Sequence, residues 1–422
     1  MVFTTHNTRA RVLGGGSVIN AGFYTRAGND YVEEAEWVRE EVEAAYEWVE
    51  KKLVFEPRVM GWQTAFKDGL LEAGVNPYNG FTYDHIYGTK IGGTIFDNAG
   101  HRHTAANLLE YANPDNIVVY LHASVQKILF TKTGRLAPKA YEVIFHDRNG
   151  VLHKVELAND TMNEVILSAG ALGSPQLLML SGVGPMAHLA AHGVKPVVID
   201  HPMVGQGMGD NPMSTIFIPS PMPIDVYNPV YRLVPPPLGG FKDMTTVNVM
   251  VQKVAGPVSR GYLELRNMNP EDNPSVTFNY YQEPEDLNKC IEGLKTIIKV
   301  IDSKAFSKYK YPGVTARVLL NFMLGLPTNL RPRHVTSVFN LKQFCIDTVM
   351  TMWHYHGGCQ VGKVVDKNYK VIGIDALRVI DGSTFLKSPG TNPQATVMML
   401  GRYMGQKILK ERAAFFKNQE EA

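Results

Sequence analysis

The sequence predicts a mixed fold, an α/β part joined to an α+β part, and three stretches carry that prediction. Glu164-Val165-Ile166-Leu167-Ser168-Ala169-Gly170 reads as a short buried strand ending in glycine. Ser174 and Pro175 then open a leucine-rich helix, with Ser174 as its cap and Pro175 at its first position. A strand, a glycine turn and a helix N-terminus suit an anionic cofactor, and equally a plain α/β connection. Residues 117–130 are rich in β-formers, and two more strands follow at 139–147 and 151–157. Asn149-Gly150 between these two is the sequence of a type I′ hairpin turn. Strands near 244–254 and 261–266 precede Leu287, Cys290, Ile291, Leu294, Ile297, Ile298 and Ile301, which keep the spacing of a core-facing helix.

Composition narrows the function classes. A chain of 422 residues has room for two or more domains and a large core. A net charge of +2 gives no electrostatic ground for nucleic acid. No apolar run reaches the length of a membrane span. Met1-Val2-Phe3-Thr4-Thr5-His6 lacks the charged leader and apolar core of a signal peptide. The three cysteines, Cys290, Cys345 and Cys359, leave at least one thiol unpaired or shared between chains, and their pairing does not follow from the count.

The remaining elements follow in order. Gly14-Gly15-Gly16 lies in a stretch that lets the backbone approach a ligand or turn tightly. Residues 32–53 read as one helix, with Val32, Val38, Val42, Tyr46 and Val49 apolar among glutamates, and 62–74 as another. His101 and His103 are surface-loop residues or pocket lining, before a helix through Tyr111. Proline and glycine crowd 213–240, ending in Pro235-Pro236-Pro237-Leu238-Gly239-Gly240, as in an irregular passage between domains. Arg331-Pro332-Arg333-His334 leads toward a further helix. At the C-terminus Asn392 caps and Pro393 opens a helix through Leu409, whose positive end faces whatever lies beside Asn392. Within Trp353-His354-Tyr355-His356-Gly357-Gly358-Cys359, the two histidines alternate as on a strand. They are a candidate catalytic base and its neighbour, or ordinary buried histidines.

Together these stretches resemble the glucose–methanol–choline family of FAD-dependent oxidoreductases. Val12-Leu13-Gly14-Gly15-Gly16-Ser17-Val18-Ile19-Asn20 resembles the family's first signature, and Gly170-Ala171-Leu172-Gly173-Ser174-Pro175 through Gly182 its second. The His354 and Asn392 stretches resemble its active-site segments. Asn79-Gly80-Phe81-Thr82-Tyr83-Asp84-His85 and Asn392-Pro393-Gln394-Ala395-Thr396 bring the chain near the plant HOTHEAD-like and mandelonitrile-lyase-like group. The resemblance implies FAD contacts at Val12, Ser17, Asn20, Ala21, Gly22, Phe23, Val125, Trp353, His354, Gly382, Pro393 and Gln394. It implies His354 as the base, Asn392 as its partner, no metal, and a Cys290–Cys345 disulfide contributing roughly 4 kcal/mol by loop closure.

The resemblance also implies the domain plan. Residues 1–212 form a partial FAD-binding domain, 213–349 a substrate domain on an antiparallel sheet with helices, and 350–415 return to the FAD-binding domain. The family opens with a glycine-rich βαβ unit, which is missing here, and Gly205-x-Gly207-x-Gly209 does not replace it. The region 226–250 is shorter than in the group.

Three functions follow as expectations. The first is hydride transfer from an alcohol to the flavin with His354 as base, on substrates such as long-chain ω-hydroxy fatty acids. The second is cyanohydrin cleavage; the resembling lyases carry a second histidine where this chain has Asn392 and a tyrosine where it has Met352. The third is an inactive truncated paralogue. By resemblance the protein is secreted or endomembrane, and its partner is a small-molecule alcohol.

Overall fold

Two apolar clusters organise the protein among the residues that its computed structural model describes, 8–131, 137–158, 160–222, 246–326, 328–329, 340–390 and 392–420. The smaller joins the two ends of the chain. The Arg39–Leu53 helix contributes Val42, Ala45, Tyr46, Val49 and Leu53 at three- and four-residue spacing. The Gln394–Glu420 helix meets them with Met399, Leu400, Tyr403 and Met404. The larger cluster surrounds the Gly170–Leu180 helix, which is buried from Ala171 to Leu180 and apolar apart from Ser174 and Gln176.

An antiparallel sheet packs into the larger cluster. Pro212–Ser220 is its central strand, flanked by Thr246–Lys253 and Met350–Thr351. Helices Pro284–Asp302, Ala316–Gly325 and Leu341–Thr348 cover its core face with Cys290, Leu294, Ile297, Leu320 and Phe344. The Cys290–Cys345 disulfide ties the first of these helices to the third, and Cys359 is a buried free thiol. A second antiparallel sheet runs through Ser124–Thr131, Lys139–His146 and Leu152–Glu156. A third joins Gln206–Met208, Gly261–Glu264 and Ser275–Thr277. Val165–Leu167 has one parallel neighbour, Leu377–Val379, and no dinucleotide-type glycine-rich βαβ unit occurs among the described residues.

The α/β plus α+β expectation holds at the level of mixed architecture, and several element predictions need correction. Residues 32–53 are two helices, Asn29–Glu34 and Arg39–Leu53. Glu36 adopts a left-handed φ of 54° between them, Trp37 turns in against Tyr31, and Val38 is exposed. The 117–130 strand begins only at Ser124, leaving the apolar run Ile117–Leu121 exposed and irregular. The hairpin is not type I′, because only Gly150 has positive φ. Asp147 instead accepts hydrogen bonds from the N–H groups of Asn149 and Val151, which builds a longer turn. Ser174 is not a cap and Pro175 is not the first helical residue, because the helix already starts at Gly170. The region 101–111 is a 3-10 helix, Ala105–Tyr111, entered through a Thr104–Asn107 capping box. The expected irregular passage 213–240 is wrong at its start, since 213–220 lies in the central strand Pro212–Ser220; the triple-proline stretch and Arg331-Pro332-Arg333-His334 lie outside the described residues.

Candidate active site

Two glycine-bearing strips hold the histidine segment in place. Gly205 to Gly209 runs against His356 to Gly358, and backbone hydrogen bonds stitch them: Gly209 N to His356 O (2.8 Å), His356 N to Gly209 O (3.0 Å), Gly358 N to Gln206 O (3.1 Å) and Gly205 N to Gly358 O (2.8 Å). A Cβ on Gly357 would lie 2.1 Å from the Gly207 carbonyl oxygen, and one on Gly209 would lie 2.4 Å from His356 Nε2. These glycines therefore allow two backbones to approach each other. They explain Gly205-x-Gly207-x-Gly209 without any nucleotide.

A buried carboxylate fixes the main chain at His354. Asp210 Oδ1 accepts the His354 backbone N–H at 2.8 Å. Its Oδ2 accepts the hydroxyls of Tyr280 (2.5 Å) and Thr351 (2.7 Å). Thr351 Oγ1 in turn accepts the Trp353 N–H at 2.9 Å. Trp353 has a φ of 58°, a costly conformation for a bulky side chain, stabilised here by these bonds. Burial pushes the Asp210 carboxyl up to about 6, against the hydrogen bonds that favour its anion.

The His354 ring is 8% exposed, and its Nδ1 has no hydrogen-bond partner. Burial first, then the charge of Lys253, holds His354 well below the usual histidine range, so it is a neutral imidazole at pH 7. A neutral ring with an unpartnered buried nitrogen can accept a proton. His356 differs. Its Nδ1 lies 3.1 Å from the His354 carbonyl oxygen, and burial lowers it to about 4.

The first signature and the C-terminal helix meet through side chains. Asn20 Nδ2 donates to Gln394 Oε1 (2.7 Å), Gln394 Nε2 donates to the Phe23 carbonyl (2.7 Å), and Gly22 N donates to Asn20 Oδ1 (2.9 Å). Arg102 donates to the carbonyls of Ser17 (3.0 Å) and Asn20 (2.7 Å) and to Asn20 Oδ1 (3.0 Å). The Ser17 hydroxyl donates to Gly14 O (2.6 Å) and accepts from Ala105 N (2.9 Å). Ser17, Asn20, Gly22, Phe23 and Gln394 thus form one network. Val12 and Phe23 nevertheless stay about half exposed, at 50% and 55%.

Other expected residues fall elsewhere. Gly382 accepts the Gly357 N–H at 3.2 Å, so it lies beside the histidine segment. Ala21 continues the signature loop, and Pro393 accepts the Val397 N–H at the start of the last helix, next to half-buried Asn392. Val125 sits in the 124–131 sheet, paired with Phe145 and packed on the larger cluster. The N-terminus of the Gly170–Leu180 helix already has an anion of its own. Asp381 Oδ2 accepts from Gly170 N (2.9 Å) and Ser174 Oγ (2.5 Å), and its Oδ1 accepts from Ser383 N (2.7 Å). His101 and His103 both face Asp97 at 3.2 Å in a surface loop. Sequence reasoning missed Asp210, Lys253 and Arg102, for which only the polar Asp210-Asn211 pair after three spaced glycines offered a signal; it marked Asp381-Gly382-Ser383 as a polar stretch without giving Asp381 a role.

Comparison with known proteins agrees with this geometry. The family description "GMC oxidoreductase" matches residues 3–213 and 257–401. The chain is 46% identical to protein HOTHEAD of Arabidopsis thaliana, across 96% of this chain and 77% of that protein. It is 43% identical to (R)-mandelonitrile lyase 1 of Prunus serotina (97% and 75% covered). It is 42% identical to sinalpyl alcohol oxidase Nec3 of Nesocodon mauritianus (96% and 76% covered). Its fold matches a formate oxidase of Aspergillus oryzae RIB40 at a TM-score of 0.76 and 19% identity, covering 97% of this chain and 85% of that one. It also matches pyridoxine 4-oxidase of Mesorbium loti at 0.74 and 19%, covering 96% and 85%.

Proposed function

The chain belongs to the GMC oxidoreductase family, and from that premise we propose that it oxidises an alcohol with FAD as hydride acceptor and His354 as base. The observation that carries this reading is the unpartnered, buried Nδ1 of a neutral His354 whose backbone is clamped by Asp210. Three features fit a planar redox ring beside it. Trp353 and Phe23 present exposed aromatic faces, Gly15 and Gly16 have open space where a Cβ would point, and Asn20 and Gln394 tie the two flanking segments together.

Val12, Ser17, Asn20, Ala21, Gly22, Phe23, Val125, Trp353, His354, Gly382, Pro393 and Gln394 are the residues this reading assigns to FAD. Because the Ser17 and Asn20 side chains already serve the protein, their contacts run through remaining lone pairs and the backbone. Bound FAD supplies the two-electron acceptor. The chain's own part is to take the hydroxyl proton at a ring nitrogen of His354. Asn392 can donate a hydrogen bond to the alcohol oxygen, which is why we pair it with His354. The reading gives residues 1–212 and 350–415 to the flavin part and 213–349 to the substrate part. The packing of the last helix on the Arg39–Leu53 helix supports that return. The Cys290–Cys345 disulfide supports passage through an oxidising compartment. No helix among the described residues is long and apolar enough to cross a membrane.

Anaerobic mixing of flavin-loaded protein with an alcohol panel, ω-hydroxy fatty acids included, tests the proposal. Bleaching of the flavin band is expected; an unchanged spectrum with every alcohol sinks it. Cyanide release from mandelonitrile without bleaching would assign lyase chemistry instead. Asn392 and Met352 stand where the sequence reading places a histidine and a tyrosine in the lyases, which is why oxidation is preferred. Protein that takes up no flavin would mark the chain as inactive.

A further inference from the structure

The strand Thr246–Lys253 pairs antiparallel with Pro212–Ser220, and the register places Met213, Thr215 and Phe217 opposite Lys253, Val251 and Val249. Directly opposed residues share a face of the sheet. The other face, with Ile216, Ile218, Asn248 and Met250, is buried in the larger cluster. The first face is more open: Phe217, Val249 and Lys253 are half-buried, and Val251 is exposed. It is an apolar wall that ends in one cation.

Among the described residues that cation has no acid to neutralise it. Lys253 has neither an ion pair nor a hydrogen-bond acceptor among the described residues, although other lysines here, such as Lys154 and Lys410, have glutamate partners. The carboxylate whose field reaches it is Asp210, and that group is already committed to Tyr280, Thr351 and the backbone of His354. The charge of Lys253 reaches both His354 and His85. Loss of water around the ammonium lowers its pKa to about 8, so it is still mostly charged at pH 7. A half-buried ammonium on an apolar wall, without a partner among the described residues and within electrostatic reach of His354, is costly without an anionic ligand.

We propose that Lys253 is a substrate-recognition residue that binds the carboxylate of a 2-hydroxy acid, holding the neighbouring hydroxyl toward His354 and its apolar tail along the sheet face of Phe217, Val249 and Val251. This rests on the alcohol-oxidation reading above and narrows its substrate class. A carboxylate bound near the base lies one bond from the carbinol carbon, not at the far end of a long chain. In the oxidation the carbinol C–H leaves as hydride to FAD and the hydroxyl proton passes to His354, which yields a 2-oxo acid and reduced flavin.

Calorimetric binding of 2-hydroxyhexanoate and of its methyl ester to the full chain provides the test. The wild type is expected to prefer the acid at least tenfold at low salt. Lys253→Met should abolish that preference, and Lys253→Arg, which keeps the charge, should restore most of it. The acid's Kd should rise with pH above about 8, approaching tenfold per unit, as Lys253 loses its proton. The other groups facing it do not follow that curve: His85 and His354 are shifted down, and Asp210 titrates near 6. Equal affinity of the wild type for acid and ester, or an acid preference that survives Lys253→Met, overturns the proposal. An unfolded Lys253→Met would leave the arginine variant and the pH curve to decide. Lys253-dependent acid binding without flavin bleaching would refute the oxidation reading while leaving this site standing. Bleaching by neutral alcohols with no acid preference would do the reverse.

Discussion

The histidine segment and the first glycine signature differ in how much of each is built by the protein itself. From Gly205 to Asp210 and from Thr351 to Cys359, backbone hydrogen bonds tie the two segments to each other, the side chains are mostly buried, and one carboxylate gathers the donors. From Val12 to Phe23, the loop hangs on Arg102, Asn20 and Gln394 while its apolar side chains face outward. The contrast shows which half is prepared in advance. The main chain of His354 is held by Asp210, as preorganised catalysis would require of the base proposed there. The signature is fixed only at its polar points, and its apolar surface gains by being covered.

The comparison is broken most severely at His354. His354→Ala should lower the rate of alcohol-dependent flavin reduction by roughly 10²–10⁴-fold, the range for a lost general base. Its thermal midpoint should stay close to wild type, since His354 Nδ1 bonds nothing in the fold. A rate within threefold of wild type, measured by stopped flow, would remove His354 from the chemistry.

Asp210→Ala should show that the segment is a single built unit. It strands Tyr280, Thr351 and the His354 N–H, at a cost of about 3 kcal/mol for unsatisfied buried donors. Urea unfolding checks this, and flavin reduction should slow in the variant that remains folded. Arg102→Ala acts on the other region. It releases the Ser17 and Asn20 carbonyls, and we expect flavin affinity to fall about tenfold, equivalent to roughly 1.4 kcal/mol, with a smaller change in stability. Fluorescence titration of apoprotein with FAD measures it. An unchanged affinity would mean that the signature needs no such anchor.

The smallest effect is on pH dependence. His354 and His356 are both held below their unfolded value near 6.5, so folding favours their neutral forms. Their contribution is present above pH 6.5 and is lost as pH falls toward about 4, where the unfolded chain binds protons first. Asp210, raised to about 6, has the opposite sign and offsets one proton of that loss between pH 6 and 4. Unfolding midpoints across pH 4.5–7.5 should therefore decline on the acid side, and Asp210→Asn should steepen the decline.

The sequence by itself determined the family, the mixed architecture and the segments worth inspecting. Signatures such as Gly14-Gly15-Gly16 and His354-x-His356 are local, and apolar spacing such as Cys290, Leu294, Ile297 and Ile301 reports directly which helix face is buried. Tertiary structure alone decided which residues serve the site. Asp210 lies 144 positions from His354, and Arg102 lies 85 from Ser17. Neither pairing leaves a periodic trace, because a buried carboxylate or guanidinium is selected by the donors and acceptors that folding brings to it. The same reason separates the two histidines. Both keep an unpartnered ring nitrogen, but Gly209 packs directly against Nε2 of His356, which is 1% exposed, while Asp210 holds the main chain of His354, which is 8% exposed.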